Sequence, residues 1–143
     1  MFLGIDPGRK GSLALLDSET QRVTCHDMPD TTAALHDLVA GMPIIKHAFI
    51  EKPFCGPVMG RRTIAVMFEQ YGVLRGALQW RDIPFTEVQP AKWKAALSLS
   101  KDKGASRDKA GQIFPDDAHQ FARAKDDGRA EAALIAWWGA NKR

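Results

Sequence analysis

An α/β domain on a mixed five-stranded sheet, with helices on both faces, is the fold class this sequence predicts. Short apolar or β-branched runs at residues 1–6, 12–16, 22–26, 47–51 and 84–88 have the length of strands. Longer stretches between and after them carry helical periodicity. The order adds topology: three strands follow closely at the start, whereas each later strand comes after a helix and requires a crossover. A chain of 143 residues suits one domain, 1–143, with no internal repeat or linker.

Residues 1–6 are an apolar run ending in Asp6, and Pro7-Gly8-Arg9-Lys10-Gly11 is a turn, so 12–16 returns as an antiparallel strand. Residues 22–26, with β-branched Val23 and Thr24, complete a meander. Asp30-Thr31-Thr32 supplies N-cap candidates for a helix to about residue 40, stopped by Gly41-Met42-Pro43. Residues 47–51 form a strand that again ends in an acid, Glu51. Two prolines and two glycines make 52–62 a loop. From 63 to about 80, Met67, Tyr71, Leu74 and Leu78 mark one helix face. Gly72 and Gly76 weaken this helix by up to about 1 kcal/mol each relative to alanine. They therefore predict a close approach, either to the sheet or to a second helix across a two-fold. After the strand at 84–88, helices are expected at 91–97 and 106–114, separated by a polar basic loop. A further loop through about 125 leads to a final helix ending near 138.

The formal charge of +3 is too small to name a partner by itself, although a pI near 9.0 is compatible with nucleic acid. No apolar run approaches the roughly 20 residues of a membrane span. The N-terminus reads directly as a strand, not as a secretory signal. Cys25 and Cys55 stand far apart, and the four histidines are scattered, which argues against zinc and for reduced thiols in a cytoplasmic protein.

The acids are more informative. If the first and fourth strands lie side by side and parallel, Asp6 and Glu51 project from one sheet edge, where loops diverge and leave a crevice. Asp127 and Glu131, four apart, share a face of the last helix. Taken singly, each has an ordinary reading as a turn, strand-end or helix-terminus residue. Converging carboxylates raise one another's pKa unless a cation neutralises them, and a hard divalent ion is the natural partner. Two such ions about 4 Å apart would activate water and stabilise the leaving oxygen in phosphodiester hydrolysis.

Gly4-Ile5-Asp6-Pro7-Gly8 with Gly11, Ile50-Glu51 with Phe54, and Asp127-Gly128-Arg129-Ala130-Glu131-Ala132-Ala133-Leu134-Ile135-Ala136 together resemble the RuvC-type Holliday junction resolvases. Val88-Gln89-Pro90-Ala91-Lys92-Trp93-Lys94, Lys101-Asp102-Lys103 and Ser106-Arg107 are similar to phage-like members of that family. The resemblance implies an RNase H-like fold, a homodimer, Mg²⁺ or Mn²⁺ (two ions per site), and paired nicking of four-way DNA junctions. It implies that Asp6, Glu51, Asp127 and Glu131 are the catalytic, metal-binding acids. One departure stands out: the family often spaces its last two acids three apart, so either Asp126 or Asp127 can fill the third place, and Glu131 stands where Asp is commoner.

Between residues 92 and 109, Lys92, Lys94, Lys101, Lys103, Arg107 and Lys109 outnumber Asp102 and Asp108, a strip suited to phosphates. Lys101 or Lys103 is placed to approach the scissile phosphate, and Lys103 is the catalytic candidate. Phe54 is expected to stack on exposed bases by the resemblance, with a loop-anchoring core role as the alternative. Arg61 and Arg62 close the same loop and are candidate phosphate contacts. Trp93, Trp137 and Trp138 read as packing residues. The alternatives are a nuclease acting on forks and flaps as readily as four-way junctions, an inactive junction-binding protein, and an actin-like ATPase fragment suggested by Asp-Pro-Gly-Arg-Lys-Gly-Ser.

Overall fold

The computed structural model describes residues 1–102 and 104–142. Its strands are β1 (Phe2–Asp6), β2 (Ser12–Leu16), β3 (Val23–Asp27), β4 (His47–Glu51) and β5 (Phe85–Val88). Its helices are α1 (Thr32–Ala40), α2 (Arg61–Trp80), α3 (Pro90–Ala96), α4 (Ala105–Ile113) and α5 (Asp127–Asn141). The five strands form one sheet in the order β3-β2-β1-β4-β5. The opening meander is antiparallel, whereas β4 pairs parallel with both β1 and β5. The mixed sheet follows from the connections: a turn joins β1 to β2, while α1 and α2 carry the chain across to β4 and β5.

Strand alternation divides the core. Leu3, Ile5, Leu13, Ala48 and Ile50 point to the α1–α2 face, where Leu35, Val39, Tyr71, Leu74 and Leu78 cover them. Phe2, Ala14, Leu16, Phe49 and Val88 point to the opposite face, under α5. Helix α5 is apolar almost all round because it is buried twice, by the sheet beneath and by α3 and α4 above. It lies so close to β1 that a Cβ on Gly4 would collide with the backbone of Ala132 and Ala136.

The expected loop before α5 is instead two 3-10 turns, Pro115–Phe121 and Ala124–Asp126. The first covers the free edge of β3 with side chains acting as a strand. The Asp117 carboxylate accepts from Val23 N at 2.9 Å, and Gln120 both accepts from Cys25 N at 2.9 Å and donates to the Val23 carbonyl at 2.8 Å. Exposed strand edges invite unwanted pairing, and this cover removes that liability.

The glycine expectation is corrected in part. Tyr71, Leu74 and Leu78 turn the inner face of α2 to the sheet, so Gly72 and Gly76 point outward, and among the described residues nothing lies within 4 Å of a Cβ built on either. Close approach to the sheet is therefore not their role. Among the described residues, no helix is long and apolar enough to cross a membrane.

Candidate active site

The strand register puts the first two acids together. Ile5 is level with Ile50 across the parallel β1–β4 pair, so Asp6 and Glu51 follow side by side at the strand ends, on the α5 face. Helix α5 adds Glu131 from above. Carboxylate oxygens of Asp6, Glu51 and Glu131 all lie within 4.8 Å of one another, at half-buried positions.

Each carboxylate is held differently. Glu51 accepts from the indole Nε1 of Trp93 at 2.6 Å. Glu131 accepts from Lys94 Nζ at 2.9 Å and from Ser106 Oγ at 3.3 Å. Burial first, and then the charges of Glu131 and Glu51, push the Asp6 carboxyl well above its ordinary range, against a partial lowering by Lys94. Burial also raises Glu51, in spite of the Trp93 hydrogen bond. Burial acts to depress the Lys94 ammonium, but the hydrogen bond and charge of Glu131 outweigh it and hold Lys94 above the usual lysine value. Among the described residues, one ammonium thus faces three carboxylates.

The fourth expected acid is close but not part of this trio. Asp127 opens α5, with its side chain 56% exposed, and its Oδ1 accepts from Arg107 Nε at 2.8 Å. It nonetheless lines one open cavity of about 460 Å³ with Asp6, Glu131 and the Pro7–Gly11 turn. Asp126 is excluded as its substitute. Its side chain is only 2% exposed and accepts from the Arg123 backbone at 2.9 Å and from the Arg123 guanidinium at 2.8 Å, capping the 3-10 turn. Its carboxylate is thus committed to Arg123 and is not among the acids that converge.

The basic candidates divide as well. Lys94 and Arg107 turn inward onto acids, while Lys92 and Lys101 are exposed. Lys103 lies outside the described residues. Arg61 and Arg62 are exposed in the first turn of α2. Phe54 is 73% exposed in the loop after β4, which overturns the core-anchor alternative and leaves its ring free to stack. Sequence reasoning missed Trp93 and Ser106 as partners of the acids. Trp93 is fully buried, as a packing residue should be, yet its N–H needs an acceptor and finds Glu51. The placement of a buried indole two elements away from Glu51 has no local signal in the sequence.

No protein-family model matches the sequence, and no curated protein matches it. Solved structures do. A Thermus thermophilus RuvC in complex with a Holliday junction substrate is 16% identical, with a TM-score of 0.68 over 97% of this chain and 91% of that one. A second structure of Thermus thermophilus RuvC is 14% identical, with a TM-score of 0.62 over 99% of this chain and 96% of that one. The yeast mitochondrial Holliday junction resolvase Ydc2 is 16% identical, with a TM-score of 0.53 over 99% of this chain and 80% of that one. The likeness is one of architecture, and it shows that this chain has the RNase H-like α/β fold on which those resolvases are built.

Proposed function

We propose that this chain is a single-domain, divalent-metal-dependent endonuclease that resolves four-way DNA junctions by paired nicks. The observation that carries the reading is the convergence of Asp6, Glu51 and Glu131 within 4.8 Å at the end of the parallel strand pair of a RuvC-like fold. The donor set fits Mg²⁺ or Mn²⁺: among the described residues, three half-buried carboxylates face one ammonium, and hard oxygens are what such ions prefer. When bound, such ions, two per site in this reading, supply Lewis-acid charge for water attack on a phosphodiester and for departure of the leaving oxygen.

The chain's own residues do the rest. Asp6, Glu51 and Glu131 hold the cations, with Asp127 as the fourth ligand. Trp93 fixes the rotamer of Glu51, and Ser106 and Lys94 fix that of Glu131. Phe54 stacks on an unpaired base at the branch point, a contact worth about 1–3 kcal/mol and indifferent to sequence. Arg61, Arg62, Lys92, Lys94, Lys101, Lys103 and Arg107 meet phosphates, Lys103 at the scissile one. A homodimer supplies the second nick. Phe68, Gly72, Gly76 and Trp80 recur every fourth residue along the exposed side of α2, a surface that suits a second helix across a two-fold. The two free thiols, Cys25 and Cys55, support a cytoplasmic setting.

The test compares four-way, forked and linear duplex DNA in one nicking assay with Mg²⁺ or Mn²⁺. The four-way junction should be cut in preference, and Asp6→Asn should bind it while nicking at least about 1,000-fold more slowly, a barrier change of about 4 kcal/mol. Equal cutting of forks would replace the proposal with a broader branched-DNA nuclease. An Asp6→Asn protein as active as the parent would refute the catalytic assignment.

A further inference from the structure

Arg107 reaches from the first turn of α4 to the first turn of α5 and donates to Asp127, the expected acid that stands apart from the trio. Its guanidinium lies against Gly104, the residue with φ of +89° that opens α4, so a side chain at 104 would strike it. The bond to Asp127 runs through Nε alone at 2.8 Å, not through the two-pronged geometry in which arginine binds carboxylates most strongly. Three other arginines do form that fork, Arg22 on Asp117, Arg123 on Asp126 and Arg129 on Asp27. The Arg107 pair is also accessible, with side chains 22% and 56% exposed. Pairs of that kind contribute about 0–1 kcal/mol, so a better partner for either group can break them.

Both groups have such a partner in prospect. Asp127 sits one helical turn before Glu131 on the same face and lines the cavity that Asp6 and Glu131 share. Asp127 and two acids of the trio therefore open onto one shared space. Arg107 is bonded to a residue that lines this cavity, and a DNA phosphate offers it the forked, charge-assisted geometry that Asp127 does not.

We infer that Arg107 is a positioning residue that exchanges the Asp127 carboxylate for a DNA phosphate, so that substrate binding releases the fourth acid and completes the cation site. This rests on the nuclease reading above and adds a coupling to it. Without DNA, the site is a trio of acids balanced by Lys94, with Asp127 withheld. With DNA, Arg107 neutralises phosphate and Asp127 joins the trio. Because linkage is reciprocal, DNA tightens cation binding by the same factor by which cations tighten DNA binding.

The experiment titrates Mn²⁺ by its paramagnetic resonance signal, with and without a four-way junction made with phosphorothioate linkages to slow cleavage. The parent should bind Mn²⁺ at least about threefold more tightly when the junction is present. Arg107→Gln should bind Mn²⁺ without DNA more tightly than the parent does, and should show no further gain on adding DNA. Arg107→Lys, which keeps a cation beside Asp127, should retain the DNA effect, and Asp127→Asn should lose it without the tightening. Thermal midpoints taken alongside establish that each variant is folded. If the parent binds both DNA and Mn²⁺ but each is indifferent to the other, the coupling is wrong and the nuclease reading stands. The coupling is equally wrong if Arg107→Gln, without DNA, binds Mn²⁺ no better than the parent. If the parent binds neither, both fall.

Discussion

Around β3, three aspartates each face an arginine: Asp117 with Arg22, Asp126 with Arg123, and Asp27 with Arg129. At the far ends of β1 and β4, three acids face one lysine among the described residues, Lys94. The two regions use the same chemical groups to opposite ends. Hydrogen bonds from Arg22, Arg123 and Arg129 respectively hold Asp117, Asp126 and Asp27 below the ordinary aspartate range, so their ionised forms favour the folded chain. Burial lifts Asp6 and Glu51 above it, so their ionised forms work against the folded chain. Charge near β3 ties 3-10 turns and α5 to the sheet. Charge at the trio stays under-compensated, which is the condition for attracting a cation.

The largest effect that sharpens this contrast is stabilisation by metal. Mg²⁺ or Mn²⁺ at a hundredfold excess over its dissociation constant should stabilise the parent by about 2.7 kcal/mol, seen as a higher thermal midpoint. Asp6→Asn should lose most of that gain, yet melt above the metal-free parent at neutral pH, since it removes a carboxyl group whose ionisation burial disfavours. A metal-free Asp6→Asn midpoint below the parent's would break the comparison. Next in size, Asp117→Ala should cost about 2 kcal/mol in a denaturant titration, because it leaves the buried Val23 N–H without its acceptor. Nicking by the folded fraction should be unchanged.

The pH dependence separates the regions further. Asp117 has its folded pKa lowered, chiefly by the Arg22 hydrogen bond. Its contribution is therefore complete above the unfolded value of about 4 and disappears as pH falls below that toward the folded value. Asp117→Ala should flatten that acid limb of the stability curve, and a limb as steep as the parent's would discount the pair. The smallest effect belongs to Phe54. Phe54→Ala should weaken junction binding about tenfold, consistent with one lost stacking contact, with the melting point unchanged. A fall in melting point would return Phe54 to a packing role.

The mixed five-stranded sheet with helices on both faces was legible because the lengths of the apolar runs and of the connections between them report it directly. Asp6 and Glu51 were legible for the same reason: each ends a strand, and parallel neighbours bring strand ends together. The choice between Asp126 and Asp127 was not, since neighbouring acids in a helix-opening segment look alike until one is seen turned into a cap by Arg123. Nor was the covering of β3 by Asp117 and Gln120, which depends on contacts more than 90 residues apart along the chain. Gly72 and Gly76 predicted a close approach on α2, but glycine spacing does not tell which direction it faces, and both face away from the sheet.

The nearness of α5 to β1 sets a tolerance for the chemistry. At Gly4 a hydrogen atom stands where any other amino acid would place carbon against the Ala132 and Ala136 backbone. Adding that carbon would lever the helix off the strand and carry Glu131 away from Asp6, which lies two residues further along β1. The spacing of the acids is therefore gauged by an atom that is missing, and Gly4→Ala should weaken cation binding at the trio without replacing any of its three carboxylates.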